Sequence, residues 1–128
     1  MANVERKHNA DIGREARDGS LADLRWLFEA SPDLIFITDR RGTLTHVSPS
    51  SEAILGYRPD EMIGRSAADF IYPGDLNPTR DELRLARRGR NRRNFEARYV
   101  HKDGRVVVLT WSGAWSEREQ QHFSSVAK

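Results

Sequence analysis

The sequence predicts an α+β domain built on an antiparallel sheet, and three observations carry that prediction. Leu34–Thr38 and Thr43–Val47 are β-branched and aromatic, and they flank the turn Asp39-Arg40-Arg41-Gly42. A longer pair, Arg92–Val100 and Arg105–Trp115, flanks Lys102-Asp103-Gly104 in the same way. Between the two hairpins lies a stretch of short helical patterns broken by proline and glycine. Strands and helices are thus segregated along the chain, as an antiparallel sheet requires.

Each element has a local reason. Ser20 can cap a leading helix, with Asp23 in its first turn and an apolar stripe of Leu21, Leu24, Leu27 and Phe28. Pro32 ends that helix. After the first hairpin, Ser48-Pro49 reads as an N-cap followed by a first-turn proline, opening a helix that Gly56 closes. Arg58-Pro59-Asp60-Glu61 starts a further helical turn ending at Gly64, and Asp69–Asp75 with Pro73-Gly74 is a bend. Thr79-Arg80-Asp81-Glu82 matches a capping box, placing a helix from Thr79 to about Arg88, with Leu76, Leu83, Leu85 and Ala86 on its inner side. In the second hairpin Phe95, Ala97 and Tyr99 alternate with Glu96 and Arg98, the period of a half-buried strand. Gln120–Val126 is a last strand.

Length and composition bound the function. At 128 residues the chain fits one domain of the usual 100–200 or so. We assign residues 1–19 to a tail or linker helix and 20–126 to the domain. Hydrophobic residues at 38% and charged residues at 31% mark a globular protein. With no cysteine, disulfides, thiolate metal sites, thiol nucleophiles and thiol–flavin adducts are excluded. The N-terminal stretch lacks the apolar core of a signal peptide and no apolar run is long enough to span a membrane, so a cytoplasmic location is expected. The net charge of +2 is too small to imply nucleic acid. The arginine run Arg84, Arg87, Arg88, Arg90, Arg92 and Arg93 has no interleaved aromatic for base stacking, and it reads as a solvated helix end and loop. No nucleophile elbow, zinc-protease helix or phosphate loop occurs, so an enzyme is not expected.

Residues LFEASPDLIFITDRRGTLTHVSPSSEAILGY, the G-Y-x-P-x-E-x-I-G run from Gly56 to Gly64, the Tyr72-Pro73-Gly74-Asp75 bend and HKDGRVVVLTWSG at 101–113 together resemble the PAS family. The resemblance covers residues 21–123. It implies a five-stranded antiparallel sheet with short helices on one face and a ligand space between them. It also implies a sensory module in a bacterial signal-transduction protein, a two-component system among others. Such a module would be coupled to a C-terminal effector: a histidine kinase, a cyclic-nucleotide enzyme or a transcription factor. Two departures stand out. The chain stops at Lys128 before the D-x-T motif that often joins the last strand to the output helix, which suggests an excised piece. The apolar pair often found after Phe123 is replaced by Ser124-Ser125, so the end of the last strand is expected to be weakened.

The candidate sites follow. Haem would need an axial ligand, and none of His8, His46, His101 and His122 lies in the helical region 48–91 where haem sensors of this family carry theirs. By strand alternation Tyr99, Val107, Leu109, Trp111, Gly113 and Trp115 share the inner face of the long hairpin. That aromatic wall could stack a planar ligand but is favoured to be a filled core. Phe36, Thr38, Tyr72, Tyr99, Leu109 and Trp111 are the candidates for a small-ligand pocket, with hydroxyls as polar handles; nothing names the ligand. On the opposite face Val106 and Val108 need a cover. Together with Leu21, Leu24, Leu27 and Phe28 they are the candidate homodimer interface; the alternative is a helix that covers its own sheet in a monomer. Two readings stay open, a ligand sensor and a pocketless interaction module.

Overall fold

The computed structural model describes residues 25–126. The chain forms two units, residues 1–30 and 31–128. In the first, residues 25–30 are helical (α1), with Trp26 and Leu27 exposed and Phe28 half-buried. The expected Ser20 cap, the Asp23 first turn, Leu21 and Leu24, and the tail at 1–19 lie outside the described residues.

In the second unit, strands β1 (Leu34–Asp39), β2 (Leu44–Val47), β3 (Arg92–Val100), β4 (Val106–Ser116) and β5 (Gln121–Val126) form one sheet in the order β2-β1-β5-β4-β3. Every neighbouring pair is antiparallel. Helices α2 (Ser51–Leu55), α3 (Pro59–Met62) and α4 (Leu76–Arg87) and two 3-10 turns, Ala67–Phe70 and Pro73–Asp75, occupy the connection between the hairpins. Alternation decides what is buried: Leu34, Phe36 and Thr38 point inward from β1, while Ile35, Ile37 and Asp39 face the other way and are half-buried. Leu34, Leu55, Met62 and Phe70 belong to a single apolar core, and each is almost wholly buried.

Two cap assignments are corrected. Ser48 does not cap α2. Its Oγ accepts from the Ile35 N–H at 2.8 Å and donates to the Asp33 carbonyl at 3.2 Å, tying the entry of β1 to the end of β2. The helix opens at Ser51 instead, and Gly56 closes it at φ 82°. The capping box at Thr79 is also not formed. Helix α4 begins three residues earlier at Leu76, Pro78 sits in its first turn where no N–H is needed, and Thr79 is buried. The N-cap residue Asp75 makes no cap bond because its carboxylate is committed to Arg98. It accepts from the Arg98 backbone N–H, Nε and Nη2 at 2.8, 3.0 and 2.7 Å.

The last strand is not weakened. β5 lies between β1 and β4 and stays paired to Val126, with Ser124 opposite both Phe36 and Gly113. The small residues there have a purpose. A positive φ of 53° at Asn94 shifts the β3–β4 register between Arg92 and Phe95, and Arg92 is paired with Gly113. The Arg92 guanidinium passes beneath Gly113, and its Nη2 donates to Ser124 Oγ at 2.6 Å and points at the Phe123 carbonyl at 3.5 Å. A Cβ on Gly113 would strike that guanidinium and the Phe123 carbonyl oxygen. Gly113→Ala is therefore expected to destabilise the domain by about 1–3 kcal/mol, the usual penalty for overpacking. A urea-midpoint comparison checks it; an unchanged midpoint would show that the strands simply move apart.

Candidate functional site

Three aromatic rings meet between sheet and helices. Phe36 and Trp111 stand 5.0 Å apart, Tyr99 and Trp111 5.5 Å, and Phe36 and Tyr99 6.4 Å edge-on. Beside them is a cavity of about 50 Å³ walled by Phe36, Thr38, Ile71, Thr79, Arg92 and Trp111, among others. Pockets for drug-sized ligands run to roughly 300–1,000 Å³, so this space suits something far smaller than a flavin ring or haem.

Of the expected pocket residues, Phe36, Thr38, Tyr99 and Trp111 line the cavity. Tyr72 and Leu109 do not. Tyr72 sits at the head of the 73–75 turn, where Arg98 covers its ring at 4.3 Å, and Leu109 is packed into the apolar core. Thr79, Arg92 and Ser124 line the cavity and were not expected there. Arg92 was read as part of a solvated run; it is 5% exposed. Plain alternation from Phe95, Ala97 and Tyr99 would turn Arg92 outward; the bulge at Asn94, which the sequence does not announce, turns it inward instead.

The polar inventory of the cavity is unusual. Thr79 Oγ1, Arg92 Nε and Trp111 Nε1 are buried with no hydrogen-bond partner, and all three residues line it. Burial pushes the Arg92 guanidinium below its ordinary range, with Tyr99 and Glu82 opposing only at a distance. Burial pushes the Tyr99 phenol well above its usual range, so it is neutral.

Next to this cavity a cleft of about 200 Å³ is lined by Arg40, Arg41, Arg80, Arg84 and Arg87, with His122 at its base. His122 is buried, stacks on Trp115 at 4.6 Å and approaches Arg87 Nη1 through Nε2 at 3.2 Å. Accepting from Arg87 leaves the proton on Nδ1, which has no partner. Burial, then Arg92 and Arg87, push His122 down to about 4.

The opposite sheet face is open. Val106 is 48% and Val108 59% exposed, and Phe123, opposite Ala114 further along the same face, is also exposed. A shallow groove of about 610 Å³ follows Ile35, Ala114, Phe123 and Ser125 there. Among the described residues no cluster of His, Asp and Glu could hold a metal ion, and no helix is long and apolar enough to cross a membrane.

A family model described as PAS fold matches residues 44–125. The chain belongs to the PAS family. As a PAS domain it is a sensory module. White collar 2 protein of Neurospora crassa is 33% identical over 85 residues, which is 66% of this chain but only 16% of that protein. A domain of a sensory box sensor histidine kinase/response regulator from Geobacter sulfurreducens superposes with a TM-score of 0.74 at 21% identity, covering 85% of this chain and 94% of that one. The PAS domain of an HTR-like protein from Haloarcula marismortui gives 0.69 at 29% identity, covering 90% and 96%. The relatives include a fungal protein, so the similarity reaches beyond the bacterial setting expected from the sequence.

The titration of His122 yields a prediction. Its pKa is about 4 folded against 6.5 as the reference, so the native state favours the neutral ring. That contribution is whole above about pH 6.5 and is lost as pH falls toward 4. Asp75, held down to about 2 from 3.8 by Arg98, adds its loss only below that window. Urea midpoints should therefore fall between pH 6.5 and 4, and His122→Gln should flatten that fall. An equal slope in both proteins would assign the acid loss to other groups.

Proposed function

We propose that this PAS domain is a non-enzymatic cytoplasmic sensor of a longer signalling protein. In this reading it holds a small ligand between sheet and helices and pairs with a second copy through its outer sheet face. The observation that carries the ligand is the set of buried polar atoms without partners around the inner cavity. Such groups in native proteins are met by a protein partner, an ordered water or a ligand, since each otherwise leaves a desolvation penalty uncompensated.

Pairing rests on the exposed Val106, Val108 and Phe123 of the outer sheet face. An attached effector, whether kinase, cyclic-nucleotide enzyme or transcription factor, would read the geometry of the pair. A second reading, a pocketless interaction module, is favoured by how fully the aromatic trio occupies the interior.

Native mass spectrometry of the 128-residue chain tests both halves. The expected spectrum shows a dimer and a small bound mass; monomer alone at high concentration would refute pairing. Val108→Lys should dissociate the dimer while leaving the thermal midpoint nearly unchanged. Trp111→Ala should lower stability by about 3–5 kcal/mol and release the bound mass. Stability loss with no bound mass in either protein would favour the pocketless module.

A further inference from the structure

We propose that the occupant of the inner cavity is a small carboxylate and that Arg92 is its charge partner; this rests on the ligand reading above. Arg92 is a buried cation with no carboxylate bonded to it. Its Nη2 reaches only the neutral oxygens of Ser124 and Phe123, its Nε reaches nothing, and no ion pair among the described residues includes it. A buried guanidinium with no bonded counter-charge, and with Glu82 opposing only at a distance, is among the costlier arrangements a domain can hold.

The other unpartnered groups define the complement. Trp111 Nε1 and Arg92 Nε can only donate, and Thr79 Oγ1 can donate as well. The residues around the cavity thus hold unmet donors, and a group that reaches them must accept. A carboxylate supplies about four acceptor sites on two oxygens and the missing negative charge together. Size narrows the choice. At about 50 Å³ the cavity lies far below the roughly 300 Å³ at which pockets for drug-sized ligands begin, so it suits a chain of very few carbons. Phe36, Ile71 and Phe95 in its wall offer contact to a short apolar tail.

The approach has the matching sign. The arginine-lined cleft shares Gly42 and Leu83 with the inner cavity. Of its arginines only Arg84 forms an ion pair among the described residues, with the exposed Asp81. Arg87 is held below its ordinary range by burial and then by Arg40 and Arg84, which is the mark of like charges left facing one another. A cleft of this kind concentrates anions at its mouth.

The test is a thermal-shift and calorimetric titration of the full chain with acetate, and with acetamide as its neutral isostere, at constant ionic strength. Acetate should raise the midpoint saturably and acetamide should not. Thr79→Val should stabilise the free protein, because it removes a buried hydroxyl without a partner, yet weaken acetate binding by about tenfold or more. Arg92→Met should abolish binding; if that variant fails to fold, Thr79→Val with the acetate and acetamide pair decides the question. Equal stabilisation by acetamide would overturn the carboxylate while leaving a cavity ligand in place. No response to either probe, with no bound mass in the native spectrum, would overturn both.

Discussion

The structure turns on one buried guanidinium. Arg92 crosses from the edge strand β3 beneath β4 to reach β5, and the fold is shaped to let it pass. The crossing needs Gly113, since any side chain there would block it, and it needs Ser124 as an acceptor on the far side. It also needs the register shift at Asn94, which turns Arg92 into the inner layer. Three short polar or small residues on three strands are thus explained by one long cation. Of the two serines that look out of place in β5, Ser124 is part of the same arrangement.

That cation also organises the charges around it. His122, on the same strand as Ser124, is kept neutral first by burial and then by Arg92 and Arg87. The ring therefore joins the interior as an aromatic surface for Trp115 rather than as a charge. On the other side of the bend, Asp75 and Arg98 satisfy one another with three hydrogen bonds. The contrast is instructive. Arg98 is exposed and has a carboxylate, whereas Arg92 is buried and has none, so the protein places its unmatched charge where a ligand could complete it.

Much of the fold was legible in the residues themselves. Alternation in Phe95, Ala97 and Tyr99, the Asp–Gly turns and the apolar LIFIT run were enough to place the strands of both hairpins, because period and turn chemistry are local properties. The helix starts were less legible. Ser48 and Thr79 carry good capping chemistry, but tertiary contacts drew Ser48 into a tie with β1 and left Thr79 inside α4. The aromatic wall of the candidate site was visible for the same reason as the strands. Its polar half was not, because Arg92 sits in a run that looks solvated and its inward turn depends on a bulge. A glycine and a serine facing each other across β4 and β5 were the available signal, and only pairing in three dimensions gives it meaning.

The most direct measurement is a proton–nitrogen correlation spectrum followed during acetate titration, read at the Trp111 indole N–H and the Arg92 Nε–H. A carboxylate seated against these donors should move both resonances downfield in parallel, saturate with the binding curve and slow their exchange with water. Resonances that stay in place while only the surface arginines of the outer cleft respond would show that the buried donors receive no ligand, and the central claim would fail.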